Sequence, residues 1–298
     1  MSREDLADRR SDLRFPYEGV SYHVTRWEGR AGRRPLLLVH GFAQSSESWE
    51  DVAYLLVTRG MGSVYAVDLV GHGRTDRPED ADRYRLTAQG AALAAMIESI
   101  AKREHVDKVG VVGYSMGGRV VLAAAAARLA KFARLVDVLV LESVGLGPDT
   151  DEKRQVDRVH DRQRAVRLRA AGIESFMDYW EKLPLFDTQR ALSGRVRADV
   201  RAARLRNDAE ALARTFEHAG QHAMPSRDDT LRTLAHLVRD GVRVYYLAGG
   251  RDQKYRALGR SLVDLPDAPT VRLVPTAGHN IHLEEPIGYA NALRTLLA

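Results

Sequence analysis

The chain contains no cysteine. That excludes disulfides, cysteine zinc sites, iron–sulfur clusters and a thiol nucleophile. Lysine is scarce: it supplies six of the 45 basic side chains, so nearly all the positive charge is arginine. Long apolar runs are missing as well. The longest, Val120 to Ala127, is far too short to cross a bilayer. Met1 to Arg14 is dense in charge and lacks an apolar centre, so it does not read as a secretory signal and the cytoplasm is the expected place. What is present is ordinary for a soluble globular protein: 298 residues, 45% apolar and 29% charged, which rules out a disordered or collagen-like chain. That length suffices for one large α/β domain with a subdomain in addition.

The formal net charge is +5, and its excess is local. Residues 151–206 hold 14 basic and nine acidic side chains, which leaves the rest of the chain close to neutral. A basic segment of this kind suits nucleic acid, anionic lipid or a small anionic substrate. No helix-turn-helix, RNA-binding or zinc-finger pattern accompanies it, so nucleic acid is not the expected partner. A solvated helical face accounts for the larger part of these arginines.

Short apolar runs read as buried strands at Pro35–His40, Ser63–Asp68, Lys108–Tyr114, Val136–Glu142, Val242–Ala248 and Thr270–Val274. Several are rich in Val and Leu without alternation, as strands covered by helices on both faces are. Helical stretches separate them: Glu47–Arg59, Leu86–Glu104, Met116–Lys131, Arg227–Asp240 and Glu284–Leu297. This rhythm predicts an α/β fold with an open, mostly parallel sheet flanked by helices. Ser21–Trp27 reads as part of an antiparallel edge hairpin. The rhythm stops between Leu146 and Gln221, which is polar, arginine-rich and helical. We therefore expect an α/β core over 1–145 and 222–298, with a helical lid inserted over 146–221.

One turn carries a chemical signature. Gly113-Tyr114-Ser115-Met116-Gly117-Gly118 is G-x-S-x-G between a predicted strand and a predicted helix. A serine in such a sharp strand-to-helix turn needs glycine at the flanking positions for steric room, and its hydroxyl projects above the sheet. A serine nucleophile needs a base, and the base an orienting carboxylate. His279, in Ala277-Gly278-His279-Asn280, follows the last predicted strand, at the end of the sheet where open α/β sheets place their sites. Asp252, in Gly249-Gly250-Arg251-Asp252, occupies the same end. It also reads as a helix N-cap. His282 is the nearest alternative base and Glu142 the alternative acid. A metal held by His279 and His282 would lack a third ligand and an H-E-x-x-H helix, so no metal is expected. The loop His40-Gly41-Phe42 can offer the N–H of Phe42 opposite the N–H of Met116, which together make an oxyanion hole. Asp68 with Gly71-His72-Gly73 reads as loop architecture.

Taken together, these residues resemble the α/β-hydrolase superfamily over nearly the whole chain. Serine at the elbow sets the sequence apart from the haloalkane dehalogenases and epoxide hydrolases, which use aspartate there. The finer pattern is similar to one branch, the 2-succinyl-6-hydroxy-2,4-cyclohexadiene-1-carboxylate synthases (MenH) of menaquinone biosynthesis. Their elbow, G-Y-S-[LM]-G-G-R, is matched through Arg119. Their W-x-x-x-P-x-F stretch is matched by Trp180, Pro184 and Phe186, and their R-L-x-N by Arg204 to Asn207. The acid loop resembles Gly250 to Tyr255, and G-H-N-x-H-x-E is matched from Gly278 to Glu284. In the first lid helix the chain departs from the family, with Asp157-Arg158 where two adjacent arginines are common. The role then falls to Arg158, with Arg154 one turn earlier as its substitute.

The resemblance implies a carbon–oxygen lyase without a cofactor. Its substrate is a polycarboxylate: a cyclohexene with a succinyl group, an enolpyruvyl ether and a ring carboxylate. Ser115, deprotonated by His279 with Asp252 behind it, would remove a proton next to the succinyl ketone, and pyruvate would leave. Arg119, Arg158 and Arg204 would grip carboxylates, whose geometry the arginine fork matches. Tyr114 and Trp180 would line the ring site or simply pack in the core. A serine carboxylesterase or carbon–carbon bond hydrolase fits the same three residues without needing the arginines. A non-catalytic binding protein on the same fold is the reading from another class.

Overall fold

The computed structural model describes residues 9–297. Residues 1–8, which carry much of the stretch read above for a signal, and Ala298 lie outside the described residues.

The chain opens with a hairpin, β1 (Arg10–Tyr17) and β2 (Val20–Trp27), paired antiparallel. The expectation covered β2 alone. The signal for β1 is alternation: Leu13, Phe15 and Tyr17 pack against the core while Asp12, Arg14 and Pro16 are exposed. Then come β3 (Leu36–Val39), α1 (Glu50–Thr58), β4 (Val64–Val67), α2 (Leu86–Arg103), β5 (Val109–Tyr114), α3 (Met116–Ala127), α4 (Leu129–Leu135) and β6 (Val136–Glu142). Four helices follow before the next strand: α5 (Asp151–Trp180), α6 (Gly194–Leu205), α7 (Ala209–Ala219) and α8 (Arg227–Arg239). The chain closes with β7 (Arg243–Gly249), α9 (Gln253–Arg260), β8 (Thr270–Val274), α10 (Ile281–Glu284) and α11 (Pro286–Leu297).

The eight strands form one sheet in the order β1-β2-β4-β3-β5-β6-β7-β8, parallel from β4 onward. Both of its faces are covered. Leu37, Val39, Val111, Leu139 and Tyr246 point into a core closed by α2, α3 and α8. Their neighbours Leu36, Leu38, Val112, Val138 and Leu247 point the other way, against α1 and α11. Period-2 alternation of apolar side chains into two separate cores is why these strands read as continuous apolar runs.

Three expected helices are broken where local chemistry breaks them. The stretch Met116–Lys131 ends at Ala127, and Arg128 (φ −146°, ψ 56°) separates α3 from α4. Glu47–Arg59 begins with a 3-10 turn, Ser46–Trp49, capped by the Ser45 hydroxyl. Glu284–Leu297 is interrupted at Glu285, because Pro286 must start a new helix rather than continue one. Helix α5 is kinked at Gly172 (φ 72°), a conformation that glycine adopts without strain. No helix among the described residues is long and apolar enough to cross a membrane.

Candidate active site

The strand ends carry the site. At the tip of β5 the chain turns at once into α3, and Ser115 takes the strained φ 49°, ψ −110°. The glycines around it are sterically required. A Cβ on Gly113 would lie 2.5 Å from the Cα of Gly118, and one on Gly117 would lie 2.3 Å from the Val39 carbonyl oxygen. Ser115 Oγ is 3.1 Å from His279 Nε2, and His279 Nδ1 is 2.7 Å from Asp252 Oδ2. Asp252 and His279 are buried, while Ser115 is half-exposed. Asp252 serves twice, because its Oδ1 also caps α9 by accepting the Tyr255 N–H at 3.1 Å.

His279 does not share its acid with His282. Glu142, at the tip of β6, accepts the N–H groups of Ile281 (2.7 Å) and His282 (3.1 Å), and its other oxygen meets His282 Nδ1 at 2.8 Å. Both of those side chains are fully buried, and Trp49 stacks on the His282 ring at 3.8 Å. Glu142 and His282 therefore anchor the loop that carries His279, and neither side chain is bonded to the Ser115 hydroxyl; Glu142 meets Ser115 only through its main-chain carbonyl, which accepts the Ser115 N–H at 2.9 Å. Among the described residues no three His, Asp or Glu side chains converge as a metal site.

The loop after β3 is fixed by His40. Its Nε2 accepts the Leu69 N–H at 3.0 Å, so the ring proton lies on Nδ1 and is donated to the Gly41 carbonyl at 2.7 Å. Burial pushes this imidazole below its ordinary pKa and keeps it neutral. The N–H groups of Phe42 and Met116 have no hydrogen-bond partner among the described residues. Met116 is the first residue of α3, where an N–H has no intrahelical acceptor. Two unengaged donors thus lie beyond the ends of β3 and β5, which are neighbours in the sheet.

Asp68 holds the neighbouring loop. It accepts His23 Nδ1 (2.8 Å) and the N–H groups of Ser46 (2.5 Å) and Arg74 (2.9 Å). Burial opposes its ionisation, but these donors outweigh burial and hold the carboxyl at about 2. A depressed folded-state pKa supplies stability that is full above the ordinary value of 3.8 and is lost as pH falls through about 2. Asp68→Asn is therefore expected to cost about 2 kcal/mol at neutral pH. In urea titrations its gap to the wild type should narrow as pH falls from about 5 toward 2.

Above the serine lies a cluster of rings. Phe42 touches Phe216 (4.2 Å between centroids) and Trp180 (5.0 Å), and Trp180 packs on Phe176 and Phe186. Phe186 meets the edge of His279 at 6.2 Å. Tyr114 is buried against His279 and His282. Phe176 and Phe216, not singled out in the sequence, complete this wall.

The arginines sort differently from the sequence reading. Arg119 is half-buried, its Nε is sealed from solvent, and no side chain among the described residues pairs with it. Burial pushes its guanidinium below the ordinary arginine pKa. The charges of Asp161 and Tyr255 oppose that shift, and Arg164 adds to it.

Arg158 is not brought to the site. The first turns of α5 stand largely in solvent and burial begins at Asp161, so Arg158 is exposed and reaches only Gln155 Oε1, at 3.4 Å. Arg154 is bound to the carbonyls of His222 and Met224. Arg204 is buried, but its fork is engaged within the inserted segment by Glu181 (3.0 Å) and Gln189 (3.1 Å), over the Phe186 ring. The arginine of α5 that faces the ring cluster is Arg164. It lies 5.8 Å from the centre of Trp180 and 5.7 Å from that of Phe216, and its Nη1 is held by Asp161 at 3.0 Å. Its sequence signal was the spacing Asp161, Ala165, Leu168, a buried helical face inside an otherwise polar run.

Residues 36–292 match the alpha/beta hydrolase family. The chain belongs to this family. Within it, a Salmonella heidelberg (strain SL476) protein named 2-succinyl-6-hydroxy-2,4-cyclohexadiene-1-carboxylate synthase is 31% identical over 92% of this hydrolase-family chain and 98% of its own. A Bacillus subtilis (strain 168) protein, provisionally given the same name, is 31% identical over 90% and 92%. The structure of MenH from S. aureus superposes with a TM-score of 0.77 at 25% identity, covering 92% of this chain and 97% of that one. A thermophilic esterase from Thermogutta terrifontis reaches 0.73 at 23% identity over 97% of both chains, which speaks for the fold alone. The synthase branch of the family is thus the one this chain resembles, in agreement with its elbow and histidine-loop motifs.

Proposed function

We propose that this chain is a carbon–oxygen lyase of menaquinone biosynthesis, a 2-succinyl-6-hydroxy-2,4-cyclohexadiene-1-carboxylate synthase working in the cytoplasm. Its substrate on this reading is 2-succinyl-5-enolpyruvyl-6-hydroxy-3-cyclohexene-1-carboxylate. The observation that carries the reading is Arg119: a half-buried guanidinium without a partner among the described residues, one helical turn from a serine within reach of an imidazole. An unpaired buried cation is unfavourable unless a ligand anion completes it. The names borne by the synthase relatives support the same conclusion.

In the proposed reaction His279 Nε2 takes the Ser115 proton, and Asp252 balances the imidazolium. Ser115 Oγ then removes the hydrogen on the carbon beside the succinyl ketone. The electron pair moves into an enolate, whose oxygen meets the N–H groups of Phe42 and Met116. As the enolate collapses, a new ring double bond forms and the enolpyruvyl C–O bond breaks. The departing enolate is protonated to pyruvate, and no water is consumed. Arg119, with Arg164 descending from the helical lid over 146–221, grips substrate carboxylates. The ring cluster of Phe42, Trp180 and Phe216 excludes water from the enolate.

The test is pyruvate release from the enolpyruvyl substrate. Turnover of a neutral aryl ester with no pyruvate formed would instead identify a serine hydrolase. Arg119→Ala is expected to lower kcat/KM about 100-fold, the cost of removing one partner of a buried charge pair. Its melting temperature should hold or rise, because without substrate the removed cation has no partner to lose. Steady-state kinetics and calorimetry on the same preparation check both.

A further inference from the structure

The carboxylate of Glu284 is not needed for any step above, yet it grips the loop that carries the base. It accepts the Gly278 N–H at 2.7 Å and the Asn280 N–H at 3.4 Å, from the residues before and after His279. Its Oε1 also accepts the Thr188 hydroxyl at 3.0 Å. Thr188 belongs to the 3-10 segment Pro184–Ala191, within the insertion between β6 and β7. The approach there is close: a Cβ on Gly278 would lie 2.0 Å from Thr188 Oγ1. The same segment sets Phe186 on the edge of His279 and hands Gln189 to Arg204.

We propose that Glu284 is a positioning residue for His279, and that Thr188 makes the inserted segment part of the support of the base. The inference rests on the reading of Ser115 and His279 as a working pair, not on the identity of the substrate. The bonds from the Gly278 and Asn280 N–H groups hold the chain on either side of His279, and that sets the direction of the ring toward Ser115. A misplacement of about 1 Å in such a group costs on the order of 100-fold in rate. The burial of Glu284 raises its pKa, against the pull of the Gly278 N–H and the Thr188 hydroxyl. Once ionised, its negative charge favours a protonated His279. The charged group acting on Glu284 is Glu142, which adds to that rise, while His279 itself faces the Asp252 carboxylate.

The experiment follows covalent capture of Ser115 by an organophosphonate, with the full chain, across pH. This readout does not depend on the natural substrate. Wild-type capture is expected to rise with the deprotonation of His279. Glu284→Ala should slow capture about tenfold or more. Glu284→Gln should slow it less, since its amide oxygen still accepts one N–H, and should move the acid limb to lower pH because the negative charge is gone. Thr188→Val, which removes only the bond to the inserted segment, should slow capture without moving that limb. A purely structural glutamate would lower the melting temperature and leave the acid limb in place. Glu284→Gln with a wild-type limb and a rate within about twofold of wild type would overturn the proposal. A wild-type serine that resists capture at every pH would remove the Ser115–His279 pair and this inference with it. Loss of pyruvate release alone would touch only the substrate reading.

Discussion

Ser115→Ala is expected to reduce pyruvate release by at least about 10⁴-fold while leaving the protein folded. The activity loss is large because the hydroxyl is the atom that meets the substrate hydrogen, and among the described residues Ser115 is the side chain that His279 Nε2 meets. The fold loss is small for three reasons. Alanine occupies the same strained backbone well with no larger side chain. The lost hydrogen bond, half-exposed at 3.1 Å, is worth about 1 kcal/mol at most. And His279 keeps Asp252 at 2.7 Å, so no buried charge is orphaned. Pyruvate detection and thermal unfolding of one preparation test both halves. Turnover within about tenfold of wild type would show that His279 takes the carbon-bound hydrogen directly. In that case His279→Ala would be inactive and Ser115→Ala would not.

The sheet was legible because its physics is local. Leu36 to Val39 and Val138 to Leu141 are apolar at every position, and no exposed strand tolerates that. The elbow was legible because glycine at 113 and 117 is a steric requirement that shows in the letters themselves. The arginines were not. Fourteen basic residues between 151 and 206 look alike in sequence, and what separates them is partnership. Arg204 is spoken for by Glu181 and Gln189, Arg169 by Glu210 and Glu217, and Arg158 stands in water. Arg164 is distinguished only by where α5 meets the core, a tertiary fact. β1 was lost for a different reason. Leu13, Phe15 and Tyr17 alternate with Asp12, Arg14 and Pro16, and the charge density around them masks the period.

Glu142→Ala should be the most destabilising single change near the site, and it separates two carboxylates that the sequence could not. Glu142 ends β6 and Asp252 follows the adjacent strand β7, and each meets a histidine of the same loop. Their consequences differ because their surroundings do. Glu142 sits in a wholly dry place, where three donors rely on it: the N–H groups of Ile281 and His282, and the His282 ring. Removing it leaves all three unpaired beneath Trp49. Breaking a buried pair of this kind costs about 3–5 kcal/mol. For a domain of this size that lowers the melting temperature by about 10 °C. Asp252→Asn should do the reverse. An asparagine oxygen still caps α9, so the melting temperature holds. The charge behind His279 is gone, and turnover falls about 10⁴-fold. Calorimetry and pyruvate release on the two variants side by side decide the matter. If Glu142→Ala were stable and inactive while Asp252→Asn remained active, the acid of the site would be Glu142, and the contact between His279 and Asp252 would be no more than a helix cap.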